Sequence, residues 1–445
     1  MTTHSLDPRD GAADDDGHPP RTGTLWSCIA HIITAVVGAG VLSLAWSVAQ
    51  LGWIAGPISL LGFAVITYVS AVLLADCYRC PDPVMGTRNY SYSDAVGAFL
   101  GRDRSILIFI AFRIQTKNVY AIRKSNCYHE RGHEALCHFE SRTYMLFFGG
   151  IQIIMSFIPD YHNMTWVSVM AAIMSFTYSF IGSGLGFAKI LENRRVKGGI
   201  TGAPAATIQE KLWNTFEALG DIAFAYTYAR VLLEIQDTLK SPPSENKTMK
   251  KASMVSILMV TFLYFGCGCF GYAAFGNGTP GNLLTGFGFF EPYWLVDLAN
   301  TCIVLHLIGG YQVYSQPIFA RSERWIVEKF PSSPFVNGIH TVKVPFLPVL
   351  QLNLMKIILR TAYVLFTTVI ALLFPYFNSI LGVLGSLNFW PMAIYFPVEM
   401  YIVQKKISPW TRTWVVLQSF SFVCFTITVL CFLGSFQGLI RSKFR

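Results

Sequence analysis

Two glycines stand one apart in Val37-Gly38-Ala39-Gly40-Val41, at the centre of an apolar run over 25–50. Glycine costs about 1 kcal/mol relative to alanine inside a helix, so the pair predicts an unwound stretch. Free backbone N–H groups at Gly38, Ala39 and Gly40, bordered by Val41, would bind a carboxylate. The positive end of the half-helix that starts there would assist them. A second run over 212–236 contains Gly220-Asp221-Ile222-Ala223-Phe224-Ala225-Tyr226. Unwinding there would offer carbonyls from Ile222 to Tyr226, Ala223 included, to an ammonium group. Phe224 and Tyr226 would border a side-chain pocket. The alternative for such glycines is close helix packing, the reading that fits Gly182-x-x-x-Gly186.

An ionisable side chain inside a membrane is a functional candidate by default. His31 lies about two turns before the first break, and histidine changes charge near neutral pH. Asp221 lies in the second expected break. Both are expected to carry a transferable proton. The alternatives are a neutral, hydrogen-bonded histidine and a carboxylate that caps a half-helix. Asp297 and His306 follow, nine residues apart. Arg230 sits deep in the 212–236 run with Glu234 at i+4, a spacing that predicts an ion pair along the helix. The sharper reading of Arg230 is attraction of an anionic substrate.

Other motifs carry less. His129-Glu130-Arg131-Gly132-His133 fits H-E-x-x-H. Zinc chemistry would need a helix that puts both histidines on one face, and a third ligand nearby. Gly132 interrupts the pattern within a polar loop, so no metal site is expected. Cys77-Tyr78-Arg79-Cys80 fits C-x-x-C without a second pair and reads as structural. No nucleotide-binding loop, catalytic triad or paired acid site stands in a credible context. Neither an enzyme activity nor an organic cofactor is expected.

These residues have to be positioned by elements buried in lipid. The chain has 445 residues, 53% apolar, 15% aromatic and only 13% charged. Its mean hydropathy is +0.45. Soluble domains average about 25% charged residues, and a soluble chain of this composition would expose large apolar patches. That excludes a disordered chain, a secreted disulfide scaffold and an ordinary cytosolic enzyme. It leaves an all-α polytopic membrane protein. The net charge of +9 implies no nucleic acid, because Lys and Arg of membrane proteins gather in cytoplasmic loops. Apolar segments at 25–50, 53–77, 105–122, 143–158, 165–188, 212–236, 252–275, 293–316, 353–376, 378–401 and 413–440 read as spans. The third is short, reaching about 27 Å against a core of about 30 Å. It also carries Arg113 and Lys117. Counting Lys and Arg per loop does not choose between ten and eleven spans. Two broken helices five spans apart point to a transporter built from inverted repeats, which requires 105–122 to cross. Residues 1–23 read as a disordered acidic tail, 24–440 as the transporter core and 441–445 as a C-terminal tail.

At these residues the chain closely resembles the plant amino acid permeases of the amino acid/auxin permease family. The resemblance is carried by Ala30-His31-Ile32-Ile33-Thr34-Ala35-Val36-Val37-Gly38-Ala39-Gly40-Val41-Leu42-Ser43-Leu44-Ala45-Trp46, by the Gly220 to Tyr226 stretch, and by Glu234-Ile235-Gln236-Asp237-Thr238-Leu239. Gly276-Asn277, Pro280-Gly281-Asn282, His306-Leu307-Ile308-Gly309 and Phe389-Trp390-Pro391 add to it. It covers residues 21–101 and 123–440. It implies a LeuT-like inverted-repeat transporter fold of about eleven transmembrane helices, the third atypically short. It further implies proton-coupled symport of amino acids across the plasma membrane by alternating access, with the N-terminus in the cytosol. The implied partners are an amino acid, a proton and the lipid bilayer, and the oligomeric state is left open. Under that topology 123–142 is an extracellular loop, which a disulfide between Cys127 and Cys137 would close. Of the sequons at Asn89, Asn163, Asn246 and Asn277, only Asn277 would then face outside; with ten spans, Asn163 and Asn246 would. The chain departs from the family at 102–122, at Ala39 where a serine is usual, and at Arg230 where a small or neutral residue is usual. The rival reading is a permease-like membrane protein that does not transport because of the shortened third span.

Overall fold

A computed structural model describes residues 21–101, 118–132, 137, 141–157, 165–287, 292–342, 350–373 and 377–444. In chain order the helices are α1 Leu25–Val36, α2 Leu44–Asp76, α3 Tyr92–Leu100, α4 Asn118–Arg131, α5 Ser141–Met155, α6 Thr165–Asn193, α7 Ile208–Tyr226 and α8 Ala229–Asp237. They continue as α9 Glu245–Phe265, α10 Gly271–Phe275, α11 Tyr293–Lys329, α12 Pro334–Asn337, α13 Leu354–Leu373, α14 Phe377–Asn388, α15 Phe396–Gln404 and α16 Arg412–Phe444. Two small antiparallel hairpins pair Arg79–Cys80 with Thr87–Arg88 and Ile339–Val342 with Leu350–Asn353. Short π-helical stretches at Gly266–Phe270 and Phe389–Tyr395 join α9 to α10 and α14 to α15. Each of those pairs is one continuous rod.

Helix α1 starts at a reciprocal cap. Thr24 accepts the Ser27 N–H at 3.3 Å, and Ser27 accepts the Thr24 N–H at 2.8 Å. This satisfies two donors that a helix start would leave unpaired. The helix stops at Val36. Gly38 is extended, with φ −107° and ψ −171°, and a 3-10 turn over Ala39–Leu42 leads into α2. The first break is therefore where the glycine pair placed it. Helix α2 bends at Gly52, whose φ is +85°. A Cβ there would stand 2.2 Å from the Ile200 carbonyl oxygen, so only glycine fits.

The second break differs from expectation. Helix α7 is continuous to Tyr226, and the chain leaves helical geometry at Thr227 and Tyr228 before α8 begins. Gly220 lies inside α7 because it is a packing glycine. A Cβ on it would meet Ser435 Oγ at 2.8 Å and the Gly382 carbonyl oxygen at 3.1 Å. It brings α7 flush against α14 and α16 rather than unwinding the chain.

The buried core is formed by α1, α2, α6, α7, α9 and α11, which pack against one another. Around it, α13 and α16 present exposed apolar side chains such as Ile358, Leu365, Val416, Phe422 and Val423. Rows of that kind are stable facing lipid and not water. Seven of the described helices are long and apolar enough to cross a membrane. Residues 1–20 and 105–117 lie outside the described residues, and with them most of the short third segment. Residues 118–122 open α4. The segment expected as a loop over 123–142 is helical as far as Arg131, and α5 begins at Ser141.

Candidate functional site

The first helix break touches the last turn of α7, just before the second break. A Cβ on Gly40 would lie 3.3 Å from a ring carbon of Phe224 and 4.0 Å from the Cα of Ala225. Residue 40 lets the first break approach the end of α7 that closely. The N–H groups of Ala39 and Gly40 precede the first bond of the 3-10 turn, from Val41 N–H to the Gly38 oxygen, and Gly38 supplies no side-chain cap. The opening N–H groups of any helix have no partner within it, so these two point out with the positive end of the turn dipole. Val41 is fully buried behind them.

Two tyrosines join the breaks. The Tyr264 hydroxyl lies 3.0 Å from the Val36 oxygen and 2.8 Å from the Ala225 oxygen. The Tyr314 hydroxyl lies 2.9 Å from the Ala35 oxygen and 3.2 Å from the Thr227 oxygen. The Val37 oxygen is approached at 3.3 Å by the hydroxyls of Ser175 and Tyr178. The C-terminal carbonyls of α1 are thus satisfied by side chains of α6, α9 and α11. Sequence reasoning missed Tyr264, Tyr314 and Thr227. The tyrosines stand in apolar runs where an aromatic is the ordinary core filler, and no local pattern marks them.

Beside the second break is a cavity that is partly open. Phe224, Thr227, Arg230, Tyr311, Tyr314, Ser315, Tyr363, Leu384, Gly385 and Asn388 line it. Phe224 therefore touches both the cavity and the first break. Of the other residues expected here, Ile222 and Ala223 are buried helical positions of α7, 0% and 1% exposed. Their carbonyls do not form the break, and the Ala223 oxygen accepts the Thr227 hydroxyl at 2.7 Å. Tyr226 turns away from the cavity. Its hydroxyl reaches Thr261 at 3.2 Å and its ring meets Tyr264 edge-on.

The titratable residues are distributed around these breaks. His31 is buried in α1, with Nδ1 2.8 Å from Ser168 Oγ of α6. Asp221 is fully buried in α7, and neither carboxylate oxygen has a hydrogen-bond partner among the described residues. Ser47 approaches it without meeting hydrogen-bond geometry, and Glu217 lies one turn away. His306 of α11 is also buried, with Nδ1 2.8 Å from Ser175 Oγ and its ring edge-on to Tyr178. Its neighbours Ser175 and Tyr178 are the residues that reach the Val37 oxygen.

The expected ion pair between Arg230 and Glu234 is not formed. Glu234 turns to α3, where Oε1 accepts the Tyr92 N–H at 3.1 Å, while Oε2 has no partner. A carboxylate at the first N–H of a helix gains from both the bond and the dipole, and that site wins over the i+4 neighbour. Arg230 makes no hydrogen bond or ion pair among the described residues, and its Nε is buried.

Cys127 and Cys137 form a disulfide. His129 stacks on Tyr293 with ring centroids 3.9 Å apart. Helix α4 ends at Arg131, Gly132 has φ +81°, and His133 lies outside the described residues. Among the described residues no group of three metal-binding side chains occurs.

Comparison with known proteins bears on the fold and the family. Among solved structures, MhsT in complex with L-phenylalanine superposes with a TM-score of 0.57 at 10% identity, covering 94% of this chain and 100% of that one. A substrate-bound, outward-open Na+-coupled sialic acid symporter gives 0.53 at 12% identity, covering 93% and 88%. At those identities the likeness speaks for the fold, which is that of the LeuT-type transporters. In sequence, probable amino acid permease 7 of Arabidopsis thaliana is 56% identical, covering 96% of each chain. Amino acid permease 3 of Arabidopsis thaliana is 51% identical, covering 96% of this chain and 93% of its own. Residues 21–441 match the family described as transmembrane amino acid transporter protein. The chain belongs to that family of amino acid transporters and is not an enzyme.

Proposed function

We propose that this chain is a proton-coupled amino acid symporter of the plasma membrane, working by alternating access with its N-terminus in the cytosol. The observation that carries the reading is the approach of Gly40 to Phe224, which brings the first break against the last turn of α7 beside a cavity. The N–H groups of Ala39 and Gly40 receive the substrate carboxylate. The Thr227 carbonyl, at the break itself, takes the ammonium group in place of the Ile222 and Ala223 carbonyls. Phe224 borders the side chain, and the bilayer holds the bundle.

His31 and Asp221 are the groups assigned to the proton. An ionised carboxylate without hydrogen bonds is expensive to bury, and protonation removes most of that cost. A proton on Asp221 therefore favours the closed, dry state of the breaks. Water reaching them from the other side favours its release. His31 links α1 to α6 through Ser168, so a change in its charge alters the contact that holds the first half-helix.

The test is amino-acid-evoked current in oocytes at about pH 5.5 and about pH 7.5, on either side of the ordinary histidine value, with surface expression confirmed. Currents that grow with acid support proton symport. Currents indifferent to pH would remove the proton from the reading. Silence from protein at the surface would favour a permease-like chain that does not transport.

A further inference from the structure

We propose that Arg230 determines specificity, taking the side-chain carboxylate of an acidic amino acid and disfavouring cationic ones. The inference rests on the symport reading and names the substrate class of the same site. Among the described residues, Arg230 is the one charged side chain lining the cavity beside the α7–α8 break, and no acidic residue lines it. The carboxylate nearest along its helix, Glu234, forms no ion pair with it and accepts the Tyr92 N–H through Oε1. Arg230 itself has no hydrogen bond or ion pair among the described residues. A guanidinium stays charged at any physiological pH, so it cannot shed its charge to suit a low-dielectric place. Such a cation is stabilised by an anion that matches its planar fork, and a carboxylate does so with two parallel hydrogen bonds. The reach also fits. Arg230 and Thr227, three residues apart in sequence, line the same cavity. An ammonium group at the Thr227 carbonyl would leave a side chain of one or two methylenes and a carboxylate facing the guanidinium. The tyrosine and serine hydroxyls of Tyr311, Tyr363 and Ser315 supply polar walls around it. A lysine or arginine substrate would bring a second positive charge to the same wall, which disfavours it by repulsion.

The experiment compares uptake of L-glutamate, L-glutamine and L-lysine at about pH 6, where a glutamate side chain is ionised. Wild type, Arg230→Met and Arg230→Lys are assayed at matched surface amounts. Wild type is expected to prefer glutamate. The glutamate-to-glutamine ratio of kcat/KM should fall roughly tenfold or more in Arg230→Met, as for loss of a charge-assisted pair, and lysine uptake should rise. Arg230→Lys, a point charge without the fork, should fall in between; it alone decides if the methionine variant fails to reach the surface. A ratio unchanged in either variant overturns the inference. So does wild type that moves glutamine but not glutamate, an outcome that leaves symport standing. If surface-expressed wild type moves no amino acid, symport fails instead. Thermal unfolding of purified protein then decides specificity. Stabilisation by glutamate that is lost in the variants supports the inference, and none in wild type overturns it.

Discussion

Tyr264 reaches across both halves of the site with a single hydroxyl, close to the last carbonyl of α1 and to the Ala225 carbonyl near the end of α7. Replacing it with phenylalanine keeps the ring and its edge-on contact with Tyr226 but leaves a buried carbonyl short of a donor. We expect Tyr264→Phe to lose about 1 kcal/mol or more of stability and to raise KM. Thermal unfolding and uptake kinetics read both, and an unchanged midpoint with unchanged KM would show that the bridge is idle. Asp221 is a different case. Its carboxylate is fully buried with no hydrogen bond among the described residues, so Asp221→Asn removes a buried ionisable group at constant shape. The variant should unfold no more easily than wild type, yet its current should no longer grow as pH falls. A group that loads a proton contributes more at acid pH, so its loss flattens that slope. His31→Gln tests the other assignment by the same readout. Retention of the full slope in both variants would place the proton elsewhere, with His306 next in line for its contact with Ser175.

At the scale of elements, the breaks set the architecture, and they were unequally legible. The first could be read because two glycines in five residues have few other uses in an apolar run. The second was placed too early, because Gly220 serves packing and the break at Thr227 and Tyr228 contains neither glycine nor proline. At the end of α7 the Thr227 hydroxyl bonds back to the Ala223 oxygen, as Ser175 does to Ala171 inside α6, so the bond gives the sequence no signal of a break. The tyrosine bridges span 228 and 279 residues of sequence, beyond any local pattern. Glu234 likewise left its i+4 partner for a helix start 142 residues away. The same packing makes a prediction for α14. A Cβ on Gly385 would lie 2.6 Å from the Gly220 oxygen and 2.8 Å from the Phe224 nitrogen. Backbone atoms cannot yield as a side-chain tip can, so Gly385→Ala should cost about 1–3 kcal/mol and displace α14 from the cavity. Gly184→Ala on α6 is the control. Nothing lies within 4 Å of its Cβ position, and alanine should be neutral or stabilising in a helix. Equal unfolding midpoints for the two variants would contradict this account of α7 against α14.

At the scale of the whole molecule, sidedness follows from contacts that cross long stretches of sequence. Arg21, just before α1, pairs with Glu245 at the start of α9, as does Arg79. Lys250 pairs with Asp76 at the end of α2. The apolar stretch Glu245–Gly278 is long enough to span, at about 50 Å for 34 residues against a core of about 30 Å. Its far end, with Asn277, therefore emerges opposite Arg21. The disulfide lies at that far end too, since His129 stacks on Tyr293, which follows Gly278 with no intervening span among the described residues. A disulfide belongs on the oxidising side, and clustered basic residues belong on the cytoplasmic one. Both support the proposed topology, with Asn277 outside and Arg21 inside. Asn277 is exposed, whereas Asn246 is 7% exposed with its amide bonded to Asp76 at 3.0 Å. A folded chain can accept a glycan at the first and not at the second. Expression in eukaryotic cells should give a species that shifts on glycosidase treatment, and Asn277→Gln should abolish the shift while Asn246→Gln leaves it. Transfer of the glycan to Asn246 would invert the molecule and put Arg21 outside. It would also put the cystine in the reducing cytosol, an arrangement that the disulfide argues against on chemical grounds.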